Sequence, residues 1–319
     1  MIVRFGFVAM SSQVQNASPS KTMTVKAFQQ IGQPQLAMKK IIRIAKENLA
    51  NTKRILYHAL AHDIKFYRFS SRLIPLAGHA LVGGRDFVRA LLPELKEIGQ
   101  LVQDHQMRVG FHPEHYTVLN TPNNEVFAAS YKDLIRHVKM LAAMGLHSGH
   151  KCNIHVGGVY GNKEDSMERF LSNFKRLDAR IQAHLCLEND DTTYTAAETL
   201  QLAEAVGVPM VLDLHHHHLN HHGEKAEDLW PRIAATWAKE PFPPKIHISS
   251  PKSETDARGH ADYVEVDDLY PFLKAIAAHT DQLDVMIEAK QKDGALFQLM
   301  EQLRQKEGVA VINQATIRI

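Results

Sequence analysis

Histidine, glutamate and aspartate recur in this sequence at one kind of place, the end of a short β-branched or aromatic run. Phe111-His112-Pro113, Ile154-His155-Val156-Gly157-Gly158, Leu187-Glu188-Asn189-Asp190 and Leu212-Asp213 each close such a run. A further run carries Lys245 and His247, and the last leads into Ile287-Glu288-Ala289-Lys290. A single such side chain is ordinarily a satisfied core or surface residue. Six consecutive runs ending this way would bury carboxylates and imidazoles together, at a cost of many kcal/mol unless cations neutralised them. A donor set of carboxylates and imidazoles without thiolates suits Mn²⁺, Zn²⁺, Fe²⁺ or Mg²⁺ and does not choose among them. Divalent ions roughly 3.5–4 Å apart suit phosphodiester hydrolysis, one activating water while another stabilises the leaving oxygen.

The chain holds 20 His, and six of them fall between His215 and His222. Consecutive residues near a strand end point in different directions, so Asp213 and His215 to His218 cannot all face one site. The expected ligand here is His216, with the remaining histidines, His221 and His222 included, as loop residues. His260, in Arg258-Gly259-His260-Ala261-Asp262, is expected in the loop after the seventh strand, within reach of the same site. Lys245 precedes His247 by two, so on a strand both point the same way. A lysine beside such a cluster could be neutral, carbamylated, or ion-paired with a site carboxylate.

The elements that must position these residues are read from the runs Ile2 to Val8, Ile64 to Phe69, Met107 to Phe111, Lys151 to Val156, Ala183 to Leu187, Pro209 to Leu212, Lys245 to Ile248 and Leu283 to Ile287. Between them lie segments of helical periodicity, such as Met167, Phe170, Leu171, Phe174 and Leu177 at spacings of three and four. Leu134, Val138 and Leu141 share another face, with Gly145 placed as a helix C-terminal glycine, and 35–61 reads as a long helix or helix pair. Loops fall at Ser18, Pro19, Pro75, Gly78, Gly83, Gly84, Pro122 and Asn123. Strands alternating with helices predict a parallel sheet, either a (β/α)8 barrel or an open doubly wound sheet. Polar residues at the ends of so many strands favour the barrel, whose strand ends converge on one mouth.

At 319 residues with 45% hydrophobic content, one domain over 1–319 is expected. The net charge of +2 marks no polyanion partner globally, so any nucleic-acid groove must be a local basic patch. The start MIVRFGFVAM lacks the pattern of a signal peptide and no run approaches a membrane span, so a soluble cytoplasmic protein without a membrane partner is expected. Cys152 and Cys186 form no CxxC motif and are expected as small buried side chains.

The strings FGFVAMS, ASPSKT, FYRFSS, FHPEHY, NIHVGGVYGNK, LENDD, LDLHHH, KIHISSPKSE, GHADYV and MIEAKQKD, spread from Phe5 to Asp293, resemble those of the UV damage endonucleases, especially the form found in bacilli. The resemblance implies a barrel similar to endonuclease IV and up to three divalent ions, manganese by usual assignment with Zn²⁺ or Mg²⁺ as alternatives. It implies incision of damaged double-stranded DNA on the 5′ side of UV photoproducts. It assigns metal-ligand roles to His112, His155, Glu188, Asp213, His216, His247, His260 and Glu288, with Glu188 bridging two ions, and matches His79 to a further histidine near the site. Glu188, Lys245 and His79 are the expected catalytic residues. The lesion-probing pair falls at His115 and Tyr116. Many relatives have Gln at the first of these, which leaves fine lesion preference open, while Tyr116 keeps an aromatic ring able to stack on bases.

Candidates for a phosphate-binding rim are Arg68, Arg72, Arg85, Lys163, Lys252, Arg258, Lys290 and Lys292. A monomer with no obligate protein partner is the expectation. The alternatives are a metal-dependent sugar isomerase or epimerase on a similar barrel, an abasic-site nuclease with little UV preference, and a histidine-rich metal carrier; the carrier leaves Glu188, Asp213 and Glu288 unexplained.

Overall fold

Parallel pairing passes from strand to strand around a ring in a computed structural model that describes residues 1–83 and 85–319. Gly84, one of the expected loop residues, lies outside the described residues. The strands are β1 (Ile2–Val8), β2 (Phe66–Arg68), β3 (Arg108–Gly110), β4 (Cys152–His155), β5 (Leu185–Glu188), β6 (Met210–Asp213), β7 (Lys245–Ile248), β8 (Pro251–Ser253), β9 (Asp256–His260), β10 (Gln282–Ile287), β11 (Ala310–Asn313) and β12 (Thr316–Arg318).

Strands β1 to β7 and β10 form the barrel. β1 pairs with β2 and β10, β2 with β3, β4 with β5, β5 with β6, and β6 with β7, which pairs with β10, all parallel. The ring is nearly closed: β3 and β4 meet through one bridge, where Phe111 N–H donates to Lys151 O at 3.1 Å and Asn153 N–H to Phe111 O at 3.0 Å. The backbones there are so close that a Cβ on Gly110 would lie 2.4 Å from Lys151 O.

The expected runs and the barrel strands coincide, most with trimmed ends, while β6 extends to Asp213 and β10 begins at Gln282. Ala183 and His184 are the exception, because they close the helix Ala179–His184 and the strand begins at Leu185. The segment read as a long helix or helix pair is one helix, Pro34–Ala61, opened by proline at its first position. It buries Ile41, Leu49, Ile55 and Leu56 against the barrel. The helix Asn124–Ala143 buries Leu134, Val138 and Leu141, and Gly145 just beyond it has φ +73°.

Two hairpins went unanticipated. β8 and β9 turn the loop after β7 into an antiparallel pair, so His260 ends a strand rather than lying in a loop. β11 and β12 form a C-terminal hairpin whose second strand pairs antiparallel with Ile2–Arg4, below the part of β1 that pairs with β2. β8 and β9 are short, exposed or half-buried, and carry little periodicity, whereas β11 and β12 are only three or four residues long although they carry Val311, Ile312 and Ile317.

At the N-terminal end of the barrel the interior is plugged by charge. Asp284 accepts from Arg4 at 2.7 and 2.8 Å and from Arg108 at 2.7 Å. The buried Arg108 guanidinium also donates to Pro243 O at 2.8 Å and lies 4.8 Å from the Trp237 ring centre. Among the described residues no helix is long and apolar enough to cross a membrane.

Candidate metal centre

The strand ends converge as the barrel geometry requires. His155, Glu188 and Asp213 are the last residues of β4, β5 and β6, His247 lies within β7, Glu288 follows β10, and His112 follows the β3–β4 bridge. Two overlapping groups have ligand atoms all within 4.8 Å of one another: His112, His155 and Glu188, and Glu188, Asp213, His247 and Glu288. Glu188 belongs to both. Its Oε2 lies 3.3 Å from His112 Nε2, and its Oε1 lies 3.0 Å from His247 Nδ1, which is also 2.9 Å from Glu288 Oε1.

The histidine tautomers follow from what surrounds them. His112, His155, His216 and His260 each place Nδ1 against a backbone carbonyl: Pro113 O at 2.9 Å, Glu188 O at 3.2 Å, Asn189 O at 3.0 Å and Glu288 O at 2.8 Å. A carbonyl can only accept, so Nδ1 carries the hydrogen and Nε2 keeps its lone pair, the arrangement that orients an imidazole for metal. The rings form a chain, His112 to His155 at 5.1 Å, His155 to His216 at 5.6 Å and His216 to His260 at 6.5 Å between centres. Within the histidine run His216 is the residue whose ring stands next to His155, although neither His216 nor His260 belongs to the two clustered ligand groups. His215 sits against His260, and His217 is buried.

The donor set fits divalent cations on one further observation. Asp213 is fully buried; its Oδ1 caps the helix Leu214–Leu219 by accepting the His216 N–H at 2.8 Å, while its Oδ2, 3.6 Å from His216 Nδ1, has no hydrogen-bond partner among the described residues. An unpaired buried carboxylate oxygen is costly unless a cation takes it up. Burial alone would push the Glu188 carboxyl up, yet the imidazoles of His247 and His112 hold it well below the usual carboxylate range. Burial likewise opposes the shift at Glu288, which Arg68 and His247 hold well below that range. Burial would lower His216, but Asp213 and Glu188 raise it to about 9, and Glu188 and Glu288 raise His247 against its own burial.

Beneath this layer lies Asn153, which sequence reading missed although it precedes His155 by two on the same strand and so shares its inward face. Its amide donates to Glu188 Oε2 at 3.0 Å and meets His247 Nε2 at 3.0 Å, while its Oδ1 accepts from Lys245 Nζ at 2.6 Å and Cys186 Sγ at 2.9 Å. Lys245 is buried, which pushes its ammonium down to about 8. Of the alternatives for Lys245, an ion pair with a site carboxylate is not formed among the described residues, and the link runs through the amide instead. Both cysteines are buried as expected, and Cys186, clustered with Val211 and Trp237, also reaches Asn153 Oδ1. Asn189, also missed, ties β5 to β6 by exchanging hydrogen bonds of 2.9 Å with the Asp213 backbone.

The structure spreads the rim candidates unequally. Arg68 is drawn inward and ion-paired with Glu288, so it is a site residue rather than a rim cation. Arg72 pairs with Glu114 at 2.7 Å, Lys163 with Glu198 at 2.8 Å, Lys252 with Asp256 at 2.8 Å and Arg258 with Asp191 at 2.5 Å. Lys290 and Arg85 are exposed, and Lys292 is partly buried near Glu288 and Arg68. His79 is exposed; its Nδ1 accepts the Leu81 N–H at 3.2 Å to cap the turn Ala80–Val82, and it is not among the clustered ligand groups. His115 and Tyr116 are exposed on the loop after β3. With His155, His216, Arg258 and His260 they line an open cleft of about 610 Å³.

The whole chain has relatives. Residues 3–318 match the family model described as UV-endonuclease UvdE. A UV DNA damage endonuclease of Halalkalibacterium halodurans is 42% identical over 318 residues, 99% of each chain. The crystal structure of SacUVDE is 28% identical with a TM-score of 0.83, covering 95% of this chain and 98% of that one. Endonuclease IV from Thermus thermophilus, 14% identical with a TM-score of 0.56 over 95% of this chain and all of that one, shares the fold. With the family model spanning nearly every residue, this chain belongs to the UV-endonuclease UvdE family and is a DNA repair endonuclease.

Proposed function

We propose that this enzyme hydrolyses the phosphodiester bond immediately 5′ to cyclobutane pyrimidine dimers and 6-4 photoproducts, with abasic sites as a further substrate, leaving a 3′-hydroxyl and a 5′-phosphate. The reading makes it a metal-dependent endodeoxyribonuclease, a hydrolase of ester bonds, working in the cytoplasm as a monomer of one domain over 1–319. The observation that carries it is the buried Glu188, shared by both ligand groups, one of which includes His155 on the wall of the open cleft edged by exposed Tyr116.

His112, His155, Glu188, Asp213, His216, His247, His260 and Glu288 would hold up to three divalent ions, with Mn²⁺ favoured and Zn²⁺ or Mg²⁺ as alternatives. Such ions, when bound, supply water activation and neutralise charge on the phosphoryl oxygens. The protein's part is preorganisation: carbonyls hold the imidazoles, Asn153 holds Glu188, and Arg68 holds Glu288. Lys245 acts through Asn153. His115 and Tyr116 probe weakened stacking at the lesion, where a damaged step costs less to open, and Lys290 supplies exposed positive charge for phosphates. Arg72, Lys163, Lys252 and Arg258 would have to exchange their carboxylate partners for phosphates to join it.

The test is nicking of an end-labelled duplex with one pyrimidine dimer by chelator-treated protein, with and without Mn²⁺, beside an undamaged duplex. A metal-restored cut directly 5′ to the dimer, abolished by Glu188→Gln in folded protein, is the expected result. Full activity of Glu188→Gln would remove the bridging role, and no cut with any divalent ion would remove the proposed reaction.

A further inference from the structure

Tyr160 has no role in the site described so far, yet it stands in the same cleft as His115 and Tyr116. It is 46% exposed, and Tyr116 is 60% exposed; these two aromatic rings are open to solvent along the cleft, on the loops after β4 and β3. The backbone at Tyr160 is left-handed, with φ +50°. For a bulky side chain that conformation costs on the order of 1 kcal/mol, and glycine or asparagine would adopt it more easily.

The surroundings hold the loop in place. Gly157 at φ +120° comes so near Asn120 that a Cβ would lie 2.3 Å from its Oδ1, and Asn120 Nδ2 donates to Gly158 O at 2.7 Å. Ser166 Oγ donates to Val159 O, and the Arg169 guanidinium lies 5.9 Å from the centre of the Tyr160 ring. The loop thus holds local strain while presenting an aromatic ring to solvent, and strain of this kind gathers where a ligand is gripped. Its phenol makes no hydrogen bond among the described residues, so the ring face is what the cleft offers. Of the acids lining the same cleft, Asp191 is paired with Arg258 and Asp190 accepts backbone N–H groups of Thr192 and Tyr194, and the part of DNA that an aromatic face stacks on is the planar base.

We propose that Tyr160 is a second base-stacking residue, receiving a nucleobase displaced from the damaged step while Tyr116 occupies the gap. This rests on the damaged-DNA reading above. The test compares Tyr160→Ala, Tyr160→Phe and Tyr160→Gly in fluorescence-anisotropy binding to a dimer-containing duplex and to its undamaged counterpart, with melting curves as the folding control. Tyr160→Ala should weaken binding of the damaged duplex about 5- to 150-fold while leaving the undamaged duplex unchanged. Tyr160→Phe should keep wild-type affinity. Tyr160→Gly relieves the backbone, and should melt no lower than wild type while losing affinity as the alanine variant does. Unchanged affinity of Tyr160→Ala for the damaged duplex, or equal weakening on both duplexes, would overturn the stacking role and leave the damaged-DNA reading standing. A wild-type protein that does not prefer the damaged duplex would overturn both.

Discussion

Asn153 donates its side-chain amide to Glu188 Oε2 at 3.0 Å, and through that contact the buried Lys245 ammonium, 2.6 Å from the other end of the amide, is coupled to the carboxylate that both ligand groups share. Residues that hold a ligand rather than bind the ion typically cost 10–100-fold in metal affinity when removed. Asn153→Ala should therefore weaken Mn²⁺ binding by about that factor in calorimetric titration, and Asn153→Asp, which places a second carboxylate beside Glu188, should also fail to restore it. Wild-type affinity in both variants would show that the amide is structural filling.

Divalent ions should stabilise the fold, because only the folded chain assembles the two ligand groups. At an ion concentration 100 times Kd the gain is about 2.7 kcal/mol, read as a rise in melting temperature on adding Mn²⁺ to chelator-treated protein. Asp213→Asn removes the charge of the buried Oδ2, which has no hydrogen bond among the described residues, and should lose most of that rise. An equal rise in the variant would mean that Asp213 is only a helix cap.

At the opposite end of the barrel, Asp284 is fully buried and holds both Arg4 and Arg108. Asp284→Ala leaves Arg108 buried without its counter-charge, a loss of about 3–5 kcal/mol. Urea unfolding should show it as a lowered midpoint with little change in slope. A change below about 1 kcal/mol would mean that Arg4 and Arg108 find other partners.

His150, 3% exposed, has its pKa lowered to about 4, chiefly by burial and then by the neighbouring His147. A depressed value means that the folded state resists protonation. Its contribution is complete above about pH 6.5, the unfolded value, and declines as pH falls toward 4. Between pH 7 and pH 4.5 the loss is about 2 to 3 kcal/mol. Unfolding free energies of wild type and His150→Gln should converge by that amount over this interval, and parallel pH profiles would refute the assignment.

Much of the architecture could be read from the chain because its signals are local. Parallel strands buried on both faces appear as unbroken apolar runs, and helices as three-and-four spacing. The residues of the two clustered groups were legible too, since barrel strands deliver their ends to one mouth and His112, His155, Glu188, Asp213, His247 and Glu288 sit at or beside those ends. Within the histidine run His216 stands beside His155 but outside both clustered groups, so the run alone did not show which ring would join them.

What the tertiary structure alone decided is how side chains far apart in sequence pair their charges. Arg68 and Lys163 look alike as basic loop residues, yet one pairs with Glu288 inside the site and the other with Glu198 outside it. Asn153 is an unremarked strand residue until β7 brings Lys245 and His247 to either end of its amide. The residue types and strand ends set which groups could meet, because alternation along a strand is a property of the chain itself. Which charge neutralises which depends on distances of roughly 3–4 Å across the barrel, and those exist only once the ring of strands has closed.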